Sequence, residues 1–368
     1  YCVFALYTKD EKPDVCLSCF LLLLDIIRVT AFSRGDVTMP EWRKDPVTSR
    51  WVIIATERGK RPSDFGSEDK TRKGGFCPLC EGNEVNTPPE VLGFRKPGTK
   101  PNEPGWWVRV VPNKFPILLT DIDAIRKGEG MYDKIAGFGC HEIIVETSDH
   151  NQILSLMNSQ SIEEVLWAFH NRLRALSKDE RLKYVQIFKN HGRAAGGLLE
   201  HSHSQLIGTP VIPKRIKEEI YGAKYHYDYK ERCVYCDMID EEERGVKRII
   251  AMNEEAVSFC PFASRFPFES WVLPRKHFHS FDIIGKKEIS GLAEVLRETL
   301  ARIYRVLENS PYNLVLHTSP LRTQFSESYH FHFEIIPKLT IEAGFELGTG
   351  FFINPTPPEE AAAYLRQG

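Results

Sequence analysis

One arrangement of metal-loving and phosphate-loving residues is spelled twice along this chain, and that repetition limits the fold more than any bulk property. The first half runs Cys77-Pro-Leu-Cys80, then HEIIVETSDH ending at His150, then YVQIFKNHGRAAGGLLEHSHSQ. The second half runs Cys233-Val-Tyr-Cys236, then FESWVLPRKH ending at His277, then YNLVLHTSPLRTQFSESYHFHFE. Glu142, Val145 and His150 keep the same spacing as Glu269, Val272 and His277. Tyr184 precedes His201 by 17 residues, and Tyr312 precedes His330 by 18. Each half then closes on His-x-His, His201 with His203 and His330 with His332. Landmarks that recur in one order mark two copies of a single structural unit.

Local patterns sketch that unit. Residues 143–146 and 269–273 read as strands bounded by polar or proline punctuation. Ser161-Ile-Glu-Glu164 has the form of a capping box, and Val165, Leu166, Phe169, Leu173 and Leu176 follow at helical spacing. A matching helix is expected around 289–307, with further strands at 184–188, 203–207, 312–316 and 331–336. The expected fold class is therefore α+β, each unit being a mainly antiparallel sheet with a helix. The N-terminal unit is expected over 39–212 and the C-terminal unit over 213–368, with 211–232 as the connection. Met39 begins MPEWRKDPVTSRWVII, like the start of a folded domain, so residues 1–38 read as an extension or disordered tail.

Composition excludes some partners. The 368 residues carry a formal net charge of -2, too small a field to draw the whole molecule onto nucleic acid. The most lipid-like run, CFLLLLDII at 19–27, is too short to span a bilayer and contains Asp25. Of nine cysteines, six form three C-x-x-C pairs, which is metal-ligand spacing and suits a reducing cytoplasm.

A C-x-x-C turn supplies two thiolates to a tetrahedral zinc, and the repeat nominates two histidines to complete each set. These are Cys77, Cys80, His150 and His201 for one site, and Cys233, Cys236, His277 and His330 for the other. Four protein ligands leave no open position, so both metals are expected to be structural. The plainer alternative is that the thiols only fill turns. Cys16-Leu-Ser-Cys19 has no histidines in the repeat and receives no role.

The chemistry concentrates between Phe188 and Gln205. Gly192, Gly196 and Gly197 let backbone N–H groups form an anion-binding concavity, with Arg193 as a local cation. His201, His203 and Gln205 alternate, so a strand would present all three on one side. One such histidine can bind metal and another can attack phosphorus, while Gln205 donates to a phosphoryl oxygen. An attacking histidine must be neutral, with its second nitrogen held by a hydrogen-bond acceptor.

His201-Ser-His203-Ser-Gln205 resembles the His-Pro-His-x-Gln motif of the galactose-1-phosphate uridylyltransferase family, in the histidine-triad superfamily, with Ser202 in place of proline. The resemblance runs from about Trp42 to the C-terminus and implies two tandem histidine-triad-like units. It implies that His201 binds zinc and that His203 is the covalent nucleophile of a ping-pong uridylyl transfer, from UDP-glucose to galactose 1-phosphate. Thr147-Ser-Asp-His150 matches the family's zinc histidine. Arg58, Arg61, Asn113 and Asn190 match segments that contact the nucleotide. Gln324, Phe345 and Glu346 match those that hold the hexose, in a site completed across a homodimer. The second C-x-x-C pair and the FELGTGFFINP tail resemble a branch that includes an ADP-glucose phosphorylase, which uses the same nucleophile. Zinc is implied at both metal sites, with iron an alternative at the second. The contrasting reading is a non-catalytic zinc scaffold.

Overall fold

Alternating apolar residues produce strands, and the strands of both sequence copies join a single sheet. The computed structural model describes residues 40–56, 75–323 and 325–368. Residues 1–38, Arg58, Arg61 and Gln324 lie outside them, so the readings attached to those positions do too. The described chain opens on a hairpin of β1 (Glu41–Lys44) and β2 (Trp51–Ile54). It continues through β3 (Leu92–Arg95), β4 (Trp106–Pro112), the exposed hairpin β5 (Arg126–Glu129) and β6 (Tyr132–Ile135), and β7 (Cys140–Val145). Helix α1 (Ser159–Leu176) leads to β8 (Tyr184–His191) and β9 (His203–Thr209). Helices α2 (Lys214–Lys230) and α3 (Val234–Gly245) precede β10 (Ile249–Met252), β11 (Ala256–Phe259) and β12 (Ser270–Pro274). Helix α4 (Lys286–Val306), β13 (Tyr312–His317) and β14 (His332–Pro337) follow. Helix α5 (Gly344–Thr349), β15 (Phe352–Asn354) and α6 (Pro358–Gln367) end the chain.

The large sheet has the order β10-β11-β12-β14-β13-β8-β9-β7-β4-β3, with every neighbouring pair antiparallel. Outward from the β8–β13 seam the order reads 8-9-7-4-3 on one side and 13-14-12-11-10 on the other. The sequence repeat is thus visible as a two-fold arrangement of strands, each half carrying its own helix, α1 or α4. At the seam Asn313 pairs with Asn190 and Tyr312 with His191, so the second half abuts the strand that leads into the glycine loop. The small sheet β1-β2-β15 joins β15 to β2 in parallel.

Helices α1 and α4 cover one face. Ile162, Val165, Leu166, Phe169 and Leu173 of α1, with Leu292, Leu296 and Leu300 of α4, pack on Ile144, Leu206, Val272 and Phe333 of the sheet. Each fully buried apolar side chain contributes about 1.5–3 kcal/mol. The opposite face is covered by Ile216, Ile220 and Ala223 of α2 and Val234, Tyr235 and Ile239 of α3, against Phe259, Trp271 and Leu273. Among the described residues no helix is long and apolar enough to cross a membrane.

Two local expectations are corrected. Ser161 does not cap α1: Asn158 does, accepting from the Ser161 N–H at 2.8 Å, and the helix begins two residues before Ser161. Asn is as good a cap as Ser, and capping there satisfies the first turn earlier. The expected connection at 211–232 is a 17-residue helix, α2. Its narrow apolar seam, Ile216, Ile220 and Ala223, is interrupted by the buried Glu219 and set among mostly exposed charged and tyrosine residues.

Candidate active site and metal centres

The loops before and after the central strands gather the repeated cysteines and histidines. Cys77, Cys80, His150 and His201 offer ligand atoms all within 4.8 Å of one another, and so do Cys233, Cys236, His277 and His330. His201 Nε2 donates to the Thr147 carbonyl at 2.7 Å. His277 Nε2 donates to the Ser326 carbonyl at 2.8 Å, and His330 Nε2 to that of Pro274 at 3.1 Å. A carbonyl can only accept, so in all three rings Nδ1 bears the lone pair, and Nδ1 is the atom facing the thiols. Cys80 Sγ lies 3.3 Å from His150 Nδ1 and 3.5 Å from His201 Nδ1, with Cys77 Sγ 3.7 Å from the latter. Cys236 Sγ lies 3.5 Å from His277 Nδ1 and 3.6 Å from His330 Nδ1. A tetrahedral zinc with bonds of about 2.3 Å to sulfur and about 2.0–2.1 Å to nitrogen requires S···N edges of roughly 3.5 Å. Both quartets fit zinc.

A third buried group, Glu219, His317, His332 and Glu334, has ligand-type atoms equally close together. Its geometry opposes a cation. His317 Nδ1 is 3.0 Å from Glu219 and Nε2 is 3.3 Å from Glu334, so both nitrogens donate and neither keeps a lone pair. Arg265 and Arg215 also pair with Glu334, at 2.7 and 3.0 Å. Burial disfavours the charge on His317, but the two carboxylates outweigh it and raise its pKa to about 9. The group is a charge network that the sequence reading of His317 missed.

His203 begins β9 and is almost fully buried. Its Nδ1 donates to the His201 carbonyl at 2.7 Å, which leaves the lone pair on Nε2. Burial, and secondarily the Lys189 ammonium, hold its pKa below the ordinary value, so the ring is neutral at pH 7. Behind it, Lys189 Nζ reaches Glu146 at 2.7 Å, the Ser202 hydroxyl at 3.1 Å and the His203 carbonyl at 3.1 Å. The Ser202 and Ser204 hydroxyls donate to the two oxygens of Glu146 at 2.6 and 2.5 Å. Burial opposes ionisation of Glu146, yet Lys189 and both hydroxyls hold its carboxyl below the usual range. Ser202, the departure from the family motif, therefore has a partner that proline could not satisfy. The available signal was Lys189 itself: period two places it on the core-facing side of β8 with Val185 and Ile187.

The glycine loop leaves β8 through a single 3-10 turn, Arg193–Ala195. Gly196 is left-handed at φ 86°, and a Cβ on Gly197 would lie 2.8 Å from the carbonyls of Asn190 and Gly192. Asn313 donates to Asn190 Oδ1 at 2.8 Å and to the Ala195 carbonyl at 2.9 Å, tying the loop to the second half of the sheet. Asn190 thus turns its NH2 end away from Asn313, toward Gly196. Arg193 is on the exposed side of the turn. A cavity of about 180 Å³ opens beside the first quartet, with Phe76 and Leu198–Glu200 in its wall.

Across β7, Gln205 Oε1 is 2.9 Å from His141 Nε2, and Asn113 touches the same imidazole. Asn190 and the glycine loop follow β8 at the end where β9 begins with His203, whereas Asn113 lies at the start of β7 beside His141, level with Ile207, and meets Gln205 only through that imidazole. Phe345 and Glu346 lie elsewhere, on α5. Glu346 accepts from the Ala343 N–H at 3.1 Å as a helix cap, and Phe345 is 44% exposed beside Phe351.

Comparison with known proteins finds relatives over most of the chain. Residues 30–213 match the model of the galactose-1-phosphate uridyl transferase N-terminal domain, and residues 139–366 match a domain of unknown function, DUF4921. An ADP-glucose phosphorylase of Arabidopsis thaliana is 35% identical over 338 residues, 89% of this chain and 93% of that protein. A galactose-1-phosphate uridylyltransferase of Thermotoga maritima is 32% identical over 339 residues, 89% and 98% of the two. The crystal structure of an Arabidopsis thaliana ADP-glucose phosphorylase with bound ADP-glucose aligns with a TM-score of 0.75 at 33% identity, covering 90% of this chain and 99% of that one. A uridylyltransferase structure aligns at 0.70 with 30% identity, covering 89% and 98%. By fold, motif and sequence, this chain belongs to the galactose-1-phosphate uridylyltransferase family of the histidine-triad superfamily.

Proposed function

We propose that the protein is a nucleotidyltransferase that works through a covalent nucleotidyl-histidine at His203. The observation that carries this reading is the His203 tautomer, fixed by the His201 carbonyl so that Nε2 offers its lone pair. Attack by Nε2 on the α-phosphorus of a nucleotide sugar forms the N–P bond and expels the sugar 1-phosphate with the P–O electron pair. An acceptor oxygen then attacks the same phosphorus, and the N–P electrons return to Nε2. The ping-pong order follows from the two displacements. Gln205 and the glycine-loop N–H groups stabilise the charge that develops on the phosphoryl oxygens, and Asn113, Asn190 and Arg193 hold the nucleotide. Arg58, Arg61 and Gln324 are assigned to nucleotide and hexose by family resemblance alone.

ADP-glucose as donor, with inorganic phosphate as acceptor, is the first reading. It is supported by the 35% identity to an ADP-glucose phosphorylase. Uridylyl transfer from UDP-glucose to galactose 1-phosphate is the second, supported by the 32% identity to a uridylyltransferase. Zinc at both quartets, rather than iron at the second, accords with their equal donor sets. The first zinc would brace the His201 strand and hence His203. A cytoplasmic homodimer completes the reading, and the exposure of Phe345 leaves the α5 segment available to a second subunit.

The test is intact-mass measurement of metal-replete protein after incubation with ADP-glucose or UDP-glucose and no acceptor. An adenylyl adduct removed by phosphate supports the first reading, and a uridylyl adduct removed by galactose 1-phosphate supports the second. His203→Ala forms neither. No adduct from either nucleotide would overturn the covalent mechanism.

A further inference from the structure

His141 stands in β7 between two amides that the proposed function places on the nucleotide, Asn113 and Gln205. Its ring is almost fully buried. The groups around it decide which nitrogen carries the hydrogen. The Ile117 backbone N–H, which can only donate, points at Nδ1 from 3.4 Å. Asn113 Oδ1 accepts from the Phe115 N–H at 2.9 Å, so the other end of that side chain, facing the imidazole, is its NH2 group. That NH2 lies 3.4 Å from Nδ1 and 3.1 Å from Nε2. The Asn113 NH2 group sits near both nitrogens and does not choose between them; the Ile117 N–H at Nδ1 and the Gln205 oxygen at Nε2 do, placing the lone pair on Nδ1 and the hydrogen on Nε2. From there it donates to Gln205 Oε1 at 2.9 Å.

This fixes the sign of the Gln205 dipole. An amide whose oxygen is already engaged can turn only its NH2 group toward a ligand. The reversed amide would aim a carbonyl oxygen at a phosphoryl oxygen and repel it. Gln205 alternates with His203 along β9, two residues away, so the preset donor lies beside the nucleophile. Preorganised donors act because no reorientation is needed as charge develops.

We propose that His141 is a positioning residue: its Nε2–H locks the Gln205 amide with its N–H groups toward the phosphoryl group being transferred to His203. The inference rests on the nucleotidyl-histidine reading above. A role through Gln205 makes demands that simple packing does not. His141→Leu, which offers no donor, lowers the rate of adduct formation roughly 10- to 100-fold, the usual loss when a supporting partner is removed. Saturation by the nucleotide sugar changes much less. His141→Gln, which returns a donor at about the position of Nε2, recovers most of the rate. In a Gln205→Ala background, His141→Leu costs nothing further.

The experiment is single-turnover adduct formation, followed by intact mass over a range of ADP-glucose and UDP-glucose concentrations, with bound zinc counted in every variant. A wild-type rate in His141→Leu, or losses for His141→Leu and Gln205→Ala that multiply in the double variant, would overturn the proposal. If the Leu variant loses zinc or its fold, His141→Gln is compared with His141→Glu, which offers only acceptors at neutral pH. Equal rates for those two would overturn it as well. Absence of any wild-type adduct would overturn the nucleotidyl-histidine reading itself, and the positioning role with it.

Discussion

Lys189 and Glu146 form an ion pair at 2.7 Å, shielded from water, directly behind the strand that carries His203. Breaking such a pair from one side leaves an uncompensated charge in the core, at a cost of about 3–5 kcal/mol. Lys189→Met and Glu146→Gln should each lower stability, with the lysine variant the worse because it strands a full carboxylate. Denaturant unfolding of both, and of the double variant, checks this. The double variant should lose less than the sum of the two singles.

Ser202 tests the same network from the motif side. Its hydroxyl donates to Glu146 and receives Lys189, both buried. Ser202→Ala removes one donor from a buried carboxylate and should cost about 1–3 kcal/mol. Ser202→Pro, which restores the family's commoner residue, should be no better in this chain. Either variant matching the wild-type unfolding midpoint would contradict the network.

The His317 network predicts a pH dependence. Its folded pKa of about 9 lies above the ordinary 6.5, because the imidazolium is held between Glu219 and Glu334. Arg265, Arg215, His332 and the Tyr329 hydroxyl complete its surroundings. A raised histidine pKa stabilises the fold fully below about pH 6.5 and loses that contribution as pH rises through 9, an amount on the order of 3 kcal/mol. The wild-type Tm should therefore fall between pH 6.5 and 9 more steeply than that of His317→Gln. Parallel slopes would show that His317 is not charged in the fold.

Metal content gives a direct count. Metal analysis should find two zinc per chain, and Cys77→Ser or Cys233→Ser should each remove one. The His317–Glu334 group should add none. Chelation should lower the Tm of the wild-type protein and slow adduct formation, since the first quartet includes His201, two residues from His203.

The glycine loop can be tested by one methyl group. Alanine at 197 would place Cβ 2.8 Å from two backbone carbonyls, so the loop must move. Displacing a phosphate-binding loop by about 1 Å can cost roughly 100-fold in rate. Gly197→Ala should slow adduct formation at least 10-fold on that ground while leaving the unfolding midpoint within a few degrees. Unchanged single-turnover rates would remove the loop from the phosphate site.

Much of this molecule was legible because its information is repeated. Cysteine and histidine spacing named both quartets, since a C-x-x-C turn and two strand-end histidines are local features recurring in one order. Alternation in β9 separated His203 and Gln205 from Ser202 and Ser204, and periodicity found α1 and α4. Local reading failed where an element's signal is thin, as in α2, whose seam is only Ile216, Ile220 and Ala223. It failed at the start of α1 too, where Asn158 and Ser161 were equally plausible caps.

The sequence by itself therefore determined the repeated strand order, the α+β class and the residues with intrinsic chemistry, because these depend on spacing along the chain. Tertiary structure decided which charges share the core and which way each ring and amide points. Lys189 finds Glu146 across 43 positions, His141 finds Gln205 across 64, and His317 finds Glu219 across 98. Each pairing joins segments that only the folded sheet brings together. Burying a polar side chain is costly unless a partner meets it, and for these three the partner comes from a segment that no local pattern names.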